Sequence, residues 1–187
     1  MKILFTVGAS NLDPDKFIGH LKLAGVDQVI DVRSSPFSRW SCWANSEPIS
    51  GLLNANEIGY LFLGSVLGGR QDDCITDGAV DFTKIAAKVT FQTGLESVKE
   101  LCQNKSCCLM CAEGDPVKCH RLVLISRYLR SDLRIMHILR DGSVLGNGAA
   151  EGRMMRSLGI QPGLFGSEEG IERAYDEQGR RIAWRPK

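Results

Sequence analysis

The chain has 187 residues, a formal net charge of +1 and 43% hydrophobic residues, which is an ordinary composition for a globular protein. The balanced charge gives no global attraction to nucleic acid or to an anionic membrane, and no apolar run approaches the roughly 18 residues that span a bilayer. We therefore expect no membrane partner. The chain has an odd number of cysteines, seven, and opens without a secretory signal, so we expect free thiols in a reducing, cytoplasmic compartment.

The beginning of the chain predicts a strand, a helix and a second strand. Apolar runs at 3–7 and 29–33 have the length of buried strands, and apolar residues at helical spacing lie between them. Asp13-Pro14 is the predicted start of this helix and Gly25 its predicted end. A connection of this kind makes the two strands parallel. Thr6 and Ser10 then lie at the carboxyl end of the first strand, which is where an open α/β sheet binds its ligand.

Asp31 and Arg33 occupy alternate positions of the second predicted strand, so their side chains share one face. They form either a buried structural pair or an acid/base group and an anion clamp at the end of the strand. Pro36 and the neighbouring serines, among them Ser38, predict a rigid polar loop that can act as a partly exposed flap.

Further elements follow at ordinary spacing. The patterns predict helices over 49–58, 82–89, 94–101, 153–158 and 167–178, strands over 60–63 and 134–139, a tight turn at 67–70, a loop over 72–78 and a mobile linker or wide loop over 142–152. Strands that alternate with helices in this way are typical of an α/β fold.

The stretch that organises the chain is 107–121. Its first five residues, 107–111, are all apolar and predict a strand buried on both faces. Asp115 and Pro116 have the properties of a helix cap and a first helical residue, so a helix is predicted over 117–129. The loop between this strand and this helix lies at the carboxyl edge of the sheet, where free backbone N–H groups favour an anion.

Cysteine chemistry is the leading hypothesis for this edge. Cys119 lies in the first predicted helical turns, where the helix dipole and a neighbouring His or Arg lower a thiol pKa and prepare a nucleophile. The alternative is that Cys119 is a small buried apolar residue, as most free cysteines are. Cys111, at the end of the strand, is a second reactive thiol, a resolving partner for Cys119 in a redox disulfide, or a packing residue.

Charged neighbours complete the predicted site. Glu113, Asp31 and His120 are candidates for moving protons. Arg33 and Arg121 are candidates for holding an anion, since a guanidinium fork suits phosphate, sulfate or carboxylate. His120 and Arg121 diverge by about 100° on a helix, so the two side chains do not face the crevice equally.

A zinc site is a weaker interpretation of the same residues. Cys111, Cys119 and His120 supply ligand atoms of the right kind, but the spacing lacks a C-x-x-C pair and a clear fourth ligand. An adjacent Cys-His pair rarely chelates one ion. We therefore expect neither a metal ion nor a cofactor.

The chain resembles the domain of unknown function 488 family. The residues that carry the resemblance are Thr6-Val7-Gly8-x-Ser10, Asp31-Val32-Arg33 with Pro36 and Ser38, Gly59-Tyr60 with Leu67-Gly68-Gly69, and Cys111-Ala112-Glu113 with Cys119-His120-Arg121. The Cys-Ala-Glu to Cys-His-Arg block is the specific one. The stretch from Leu164 to Ala183 also resembles the C-terminal extension of longer members.

The resemblance implies an α/β fold and a shared site but no reaction. It implies that the polar and thiol groups named above meet at one end of the sheet. One position departs from the family, because Ala9 stands where members usually have histidine. If that histidine were a catalytic base, this chain would be impaired or would use another group, such as His120.

Together these patterns predict a three-layer, Rossmann-like α/β fold with a mainly parallel open sheet and helices on both faces. We expect a core over 1–140 and a C-terminal extension over 141–187 that packs on the core or trails from it. The oligomeric state has no signature in the sequence.

We expect the protein to bind a small anionic or nucleotide-like ligand in this crevice and to act as a cysteine-dependent hydrolase or transferase. The main alternative is a non-catalytic module for nucleotide or nucleic acid. It would use Arg127, Arg130, Arg134 and the basic tail 180–187 to contact phosphates, with Trp184 stacking on a base. A thiol redox protein with a Cys111–Cys119 disulfide is a third, weaker alternative.

Overall fold

The strands of the central sheet surround one buried strand. The computed structural model describes residues 1–10, 12–39, 41–161 and 168–186. In spatial order the strands are β3 (Gly59–Phe62), β2 (Gln28–Asp31), β6 (Cys107–Cys111), β1 (Ile3–Gly8), β7 (Arg134–Ile138) and β8 (Val144–Gly146). All neighbours pair in parallel except β7 and β8, which are antiparallel. All five residues of β6 are buried, as the apolar run predicted.

The helices alternate with the strands along the chain. They are α1 (Pro14–Leu23), α2 (Ser46–Asn54), α3 (Gly64–Leu67), α4 (Phe82–Ala86), α5 (Val89–Asn104), α6 (Arg127–Leu129), α7 (Asn147–Leu158) and α8 (Glu168–Ile182). A π-helical segment, Arg121–Ser126, runs directly into α6, and we call the two together the central helix.

Helices cover both faces of the sheet. On one face Phe17 and Leu21 of α1 and Ile49 of α2 pack with Val29 and Met110. On the other face, Phe91 and Leu95 of α5 and Ile125 of the central helix pack with strand residues. These strand residues are Leu109 of β6 and Ile30 of β2. The predicted three-layer α/β fold is confirmed.

The start of α1 shows how local sequence sets an element. The Asp13 side chain accepts a hydrogen bond from the Lys16 backbone N–H at 2.9 Å, and Pro14 occupies the first helical position. Gly25 follows the helix with φ +65°, a conformation that glycine adopts without strain. The element therefore begins and ends where the sequence predicts.

The segment after β7 packs against the rest of the chain. Tyr175 of α8 and Met154 of α7 are buried with Leu122 of the central helix. Arg127 of the central helix forms ion pairs with Glu172 and Asp176 of α8. The extension thus contacts the helix that follows the site strand.

Two expectations about loops are wrong. Residues 142–152 are not a wide loop, because Val144–Gly146 forms the edge strand β8 and Asn147–Leu158 forms α7. Gly148 and Gly152 weaken the helical pattern of α7, and burial of its apolar face against α8 outweighs that weakness. Residues 72–78 contain a helical turn and then the strand β4 (Ile75–Thr76), which pairs with β5 (Ala79–Val80) in a short hairpin.

The predicted helix over 117–129 is also wrong in one respect. Asp115 does cap a first turn, Pro116–Lys118, but Cys119 has an extended backbone with φ −132° and ψ 142°. The central helix starts only after it, with the Leu122 N–H donating to the Cys119 carbonyl oxygen at 3.1 Å. Cys119 therefore lies at a break between two helical segments.

All seven cysteines are free thiols. Within the described ranges, no helix has both the length and the apolar character needed to cross a bilayer.

Burial in β6 predicts a large difference between two identical substitutions. Leu109 is fully buried, so Leu109→Ala removes packing on the central strand and lowers the free energy of unfolding by about 2–5 kcal/mol. Leu23 is 88% exposed, so Leu23→Ala changes it by about 0.5 kcal/mol or less. Urea unfolding of both variants measures the difference, and equal losses would contradict this arrangement of the sheet.

Candidate functional site

A cleft of about 470 Å³ opens at the carboxyl ends of β2 and β6. Six residues that the sequence predicted for the site line it: Arg33, Ser38, Cys111, Glu113, Cys119 and His120. The other four predicted residues, Thr6, Ser10, Asp31 and Arg121, do not line the cleft and support it from beneath or beside it.

His120 and two thiols meet at the base of the cleft. The His120 Nδ1 atom lies 3.6 Å from Cys111 Sγ and 3.9 Å from Cys119 Sγ. On the other side of the ring, Nε2 lies 3.0 Å from the Val32 carbonyl oxygen. In the neutral ring this bond places the proton on Nε2, so Nδ1 presents its lone pair to the two sulfurs.

The break at Cys119 explains this convergence. Cys119 is extended and His120 has helical dihedral angles, so the chain turns sharply between them and both side chains reach one point. A continuous helix would have separated their side chains. The geometric objection to a shared site for adjacent Cys and His therefore does not hold in this fold.

Arg121 lies under the site with no exposed surface. Its guanidinium donates to the Glu113 carbonyl oxygen, to the Gly114 carbonyl oxygen at 2.9 Å and to Thr6 Oγ1 at 3.1 Å. These bonds fix the loop that follows β6. The placement favours a positioning role for Arg121 over the predicted direct contact with an anion.

The charge of Arg121 has no carboxylate partner among the described residues, although most buried charges are paired. The Arg121 backbone N–H donates a hydrogen bond to the Cys119 sulfur at 3.5 Å, and the charge of Arg121 acts to lower the pKa of this thiol. A buried cation beside a thiol at a helix start stabilises the thiolate.

The two thiols have opposite pKa shifts. Burial acts to raise the pKa of Cys119, but the hydrogen bond from Cys111, the charge of Arg121 and the nearby His120 outweigh it and hold this pKa well below its usual value. The hydrogen bond to Cys119 and burial raise the pKa of Cys111 well above its usual value. The arrangement therefore corresponds to a Cys119 thiolate that accepts a hydrogen bond from a Cys111 thiol.

Asp31 and Arg33 form a buried pair beside the cleft. Arg33 Nη2 lies 2.6 Å from Asp31 Oδ2, and Arg33 Nε lies 2.9 Å from Asp31 Oδ1. Tyr60 donates its hydroxyl to Asp31 Oδ2 at 2.8 Å, and burial with this nearby carboxylate raises the pKa of Tyr60 to about 12. Both Asp31 oxygens are thus engaged, and the pair orients Arg33 toward the cleft.

A buried polar chain, which the sequence patterns did not reveal, leads away from Arg121. Thr6 Oγ1 donates to His137 Nδ1 at 2.8 Å, and His137 Nε2 donates to Asn147 Oδ1 at 3.1 Å. Asn147 and Tyr175 both donate to Glu151 Oε1. A single histidine among the apolar residues 135–138 of β7 is the signal that could have indicated this hydrogen-bonded series.

Residues 8–10 continue the sheet past the end of β1. The Ala9 N–H donates to the Cys111 carbonyl oxygen and the Ser10 N–H to the Ala112 carbonyl oxygen, both at 2.8 Å. A Cβ on Gly8 would lie 2.0 Å from the Glu113 carbonyl oxygen, so only glycine permits this approach. Ala9 is buried among the apolar residues under α1, away from the cleft.

The outer walls of the cleft come from several parts of the chain. Arg70 and Lys118 add positive charge, and Phe37, Phe82 and Trp184 add aromatic surface. Trp184 follows α8, and its carbonyl oxygen accepts a hydrogen bond from the Val80 N–H at 2.9 Å. The contributions of Arg70 and Lys118 could not be anticipated from local sequence.

These features define a mainly parallel α/β protein with a thiol–imidazole site at the carboxyl edge of its sheet. The sequence profile described as domain of unknown function DUF488 matches residues 13–128, which is well over half of the chain. The chain belongs to this family. No curated protein and no solved structure matches it. The matched range contains Asp31, Arg33 and the Cys111–Arg121 block, whereas Thr6 and Ser10 precede it.

Burial of His137 predicts a loss of stability in weak acid. Burial and the charge of Arg121 lower its pKa to about 4 in the folded protein, against about 6.5 unfolded. Between these values the unfolded chain binds a proton that the folded chain does not. The contribution of His137 to the free energy of unfolding is therefore complete above about pH 6.5, and it declines by about 3 kcal/mol as the pH falls to about 4.

Urea unfolding across this range measures the slope. His137→Gln should flatten the slope of stability against pH. His20→Gln, which changes a histidine outside the Thr6–His137–Asn147 hydrogen-bonded series, should leave the slope unchanged. An NMR titration of the ring in the unsubstituted protein checks the same pKa without a variant. A midpoint near 6.5 would contradict the buried, neutral state of His137.

Proposed function

We propose that the chain is a cysteine-dependent hydrolase or transferase whose cleft binds a small anionic or nucleotide-like ligand. Cys119 is the nucleophile. The observation that carries the proposal is the fully buried charge of Arg121, a residue whose backbone N–H donates to the Cys119 sulfur and whose guanidinium has no carboxylate partner among the described residues. A thiolate is the group that this charge stabilises.

The reaction needs a nucleophile, a proton carrier and a ligand in reach of both. The Cys119 sulfur forms a bond to an electrophilic atom of the ligand as the bond to the leaving group breaks. Water or an acceptor then releases the second product and restores the thiolate. The Cys111 thiol carries a proton, which His120 Nδ1, 3.6 Å from the Cys111 sulfur, can accept and pass to the leaving group. The proton that the attacking water or acceptor releases in the second step returns through His120 to Cys111.

The walls of the cleft favour an anionic ligand with a flat ring. Arg33, Arg70 and Lys118 supply donors and positive charge, which suit phosphate or carboxylate. Trp184 and Phe82 supply aromatic surface on which a ring can stack. A volume of about 470 Å³ lies within the range of small-molecule sites.

The free state of all seven cysteines fits a reducing compartment, and we propose a cytoplasmic location for the protein.

A redox function is the second candidate, because the sulfurs of Cys111 and Cys119 lie within 4.8 Å of each other. A mild oxidant would then produce one disulfide between these two residues, seen by mass spectrometry as the loss of two hydrogens. The nucleic-acid alternative has less support. Arg127 and Arg130, two of the arginines it would use, are engaged by carboxylates of α8.

Alkylation of the metal-free protein, with EDTA present, tests the thiolate. Iodoacetamide rates for each cysteine across the pH range should give Cys119 a midpoint well below that of the exposed Cys42, which serves as the internal reference. Arg121→Met should raise the Cys119 midpoint by about 1–3 units, since it removes a nearby opposite charge.

Two controls separate charge from structure. Arg121→Lys keeps the charge but loses some bonds to the loop, so Cys119 should retain most of its low midpoint. Arg156→Met changes an exposed arginine and should leave the midpoint unchanged. If Cys119 titrates together with Cys42 in the unsubstituted protein, the proposed nucleophile is wrong.

Turnover on a panel of small activated acyl and phosphoryl esters tests catalysis. Cys119→Ser should lower any turnover by at least about 100-fold, because a serine hydroxyl is not ionised in this site. Cys42→Ser is the matched control and should retain the activity of the unsubstituted protein. Equal turnover in the two variants would rule out catalysis by the Cys119 thiol.

A further inference from the structure

Three metal-ligand atoms lie together at the base of the cleft. Cys111 Sγ, Cys119 Sγ and His120 Nδ1 are all within 4.8 Å of one another. The distances from Nδ1 to the two sulfurs are 3.6 and 3.9 Å. Two sulfurs and an imidazole nitrogen form a donor set that zinc and other soft or borderline ions prefer over magnesium or calcium.

These separations match tetrahedral coordination. With zinc–sulfur bonds of about 2.3 Å and zinc–nitrogen bonds of about 2.0–2.1 Å, a tetrahedral ion places sulfur about 3.6 Å from nitrogen and about 3.8 Å from the second sulfur. The sulfur–nitrogen separations found here differ from that value by a few tenths of an ångström. An ion could therefore be bound with little movement of the three side chains.

The surroundings already hold the ligands in place. The bond from His120 Nε2 to the Val32 carbonyl oxygen fixes the ring and leaves Nδ1 as the ligand atom. The Arg121 N–H supports Cys119 Sγ. Cys111 is fixed at the end of the rigid strand β6. Partners of this kind around a donor set orient ligands and raise metal affinity.

We propose that Cys111, Cys119 and His120 form a three-ligand site for Zn²⁺, with the fourth coordination position open to the cleft. All three residues line that cleft, so water or a donor atom of a bound anion can reach the fourth position. A divalent ion, two thiolates and a neutral imidazole carry no net charge, which suits a buried location. Three protein ligands with one open position are the pattern of reactive zinc sites, whereas structural sites are closed by four.

Metal binding has a consequence for the thiol. The same sulfur cannot be coordinated and act as a free nucleophile, so Zn²⁺ should suppress the alkylation of Cys119. An inhibitory effect on turnover also follows, and that part alone rests on the function proposed above.

Cobalt titration of the full-length protein tests the site. Co²⁺ is added to metal-free protein under argon without added thiol, and absorption is recorded. We expect one ion per chain, thiolate-to-cobalt charge-transfer bands in the near ultraviolet, intense tetrahedral bands in the visible region, and loss of both when Zn²⁺ is added.

Matched variants assign the ligands. Cys111→Ser, Cys119→Ser and His120→Gln should each weaken Co²⁺ binding by at least about 10-fold. Cys42→Ser and His20→Gln make the same changes outside the site and should leave the spectrum unchanged. A weak octahedral spectrum, or Cys119→Ser that binds Co²⁺ with unchanged affinity and undiminished thiolate bands, would overturn the proposal.

X-ray absorption of the zinc-loaded, unsubstituted protein needs no variant. Two sulfur neighbours at about 2.3 Å and nitrogen or oxygen neighbours at about 2.0–2.1 Å are expected, and a shell without sulfur would overturn the proposal. Neither metal measurement uses a substrate, and the alkylation test contains EDTA. A metal site with an ordinary Cys119 would therefore refute only the nucleophile, and a reactive Cys119 without thiolate–cobalt bands would refute only the metal site.

Discussion

The buried guanidinium of Arg121 is the interaction on which the site depends. A full positive charge with no exposed surface is costly unless polar groups surround it. Here the carbonyl oxygens of Glu113 and Gly114 and the hydroxyl of Thr6 receive its hydrogen bonds. These groups come from the loop after β6 and from β1, so one side chain ties together the two central strands, the site loop and the helix that carries it.

The location of the cleft follows from the order of the strands. β6 lies between β1 and β2, and the connections from β1 and β6 leave toward opposite sides of the sheet. Ligand sites in open α/β sheets lie at such points. In this chain the gap between β1 and β6 is closed by the bonds from Ala9 and Ser10 to the site loop and by Arg121 beneath. The space that remains open is the one between β6 and β2, where Cys111 and Arg33 both line the cleft.

Sequence reasoning identified the elements whose signals are local. A run of apolar residues predicted β6 at its observed bounds, and cap residues predicted both ends of α1. The break at Cys119 had no local signal, because apolar spacing continues across it and Pro116 favours a helix start. The stability of α7 also comes from residues distant in sequence, since its glycine-rich stretch becomes helical by packing against α8.

The candidate site shows the same limit. Six of the ten predicted residues line the cleft, because side chains at the ends of parallel strands share one edge. Sequence alone does not distinguish a residue in a cleft from one beneath it. Arg121 and Asp31 were therefore expected to face a ligand, although their charged groups bond to the protein itself. His137 was missed because its role depends on Thr6, which is 131 positions away in the chain.

The anchoring of Trp184 to the β4–β5 hairpin has a consequence for the family. The matched range ends at residue 128, but one wall of the cleft is made by Ile182 and Trp184. The thiol–imidazole pair belongs to the shared part of the chain, whereas this wall does not. A member that ends soon after the shared part would have the same reactive groups in a wider cleft. The thiol–imidazole group and this wall of the cleft are thus carried by separate stretches of sequence, and the wall can change without altering the thiols and the imidazole.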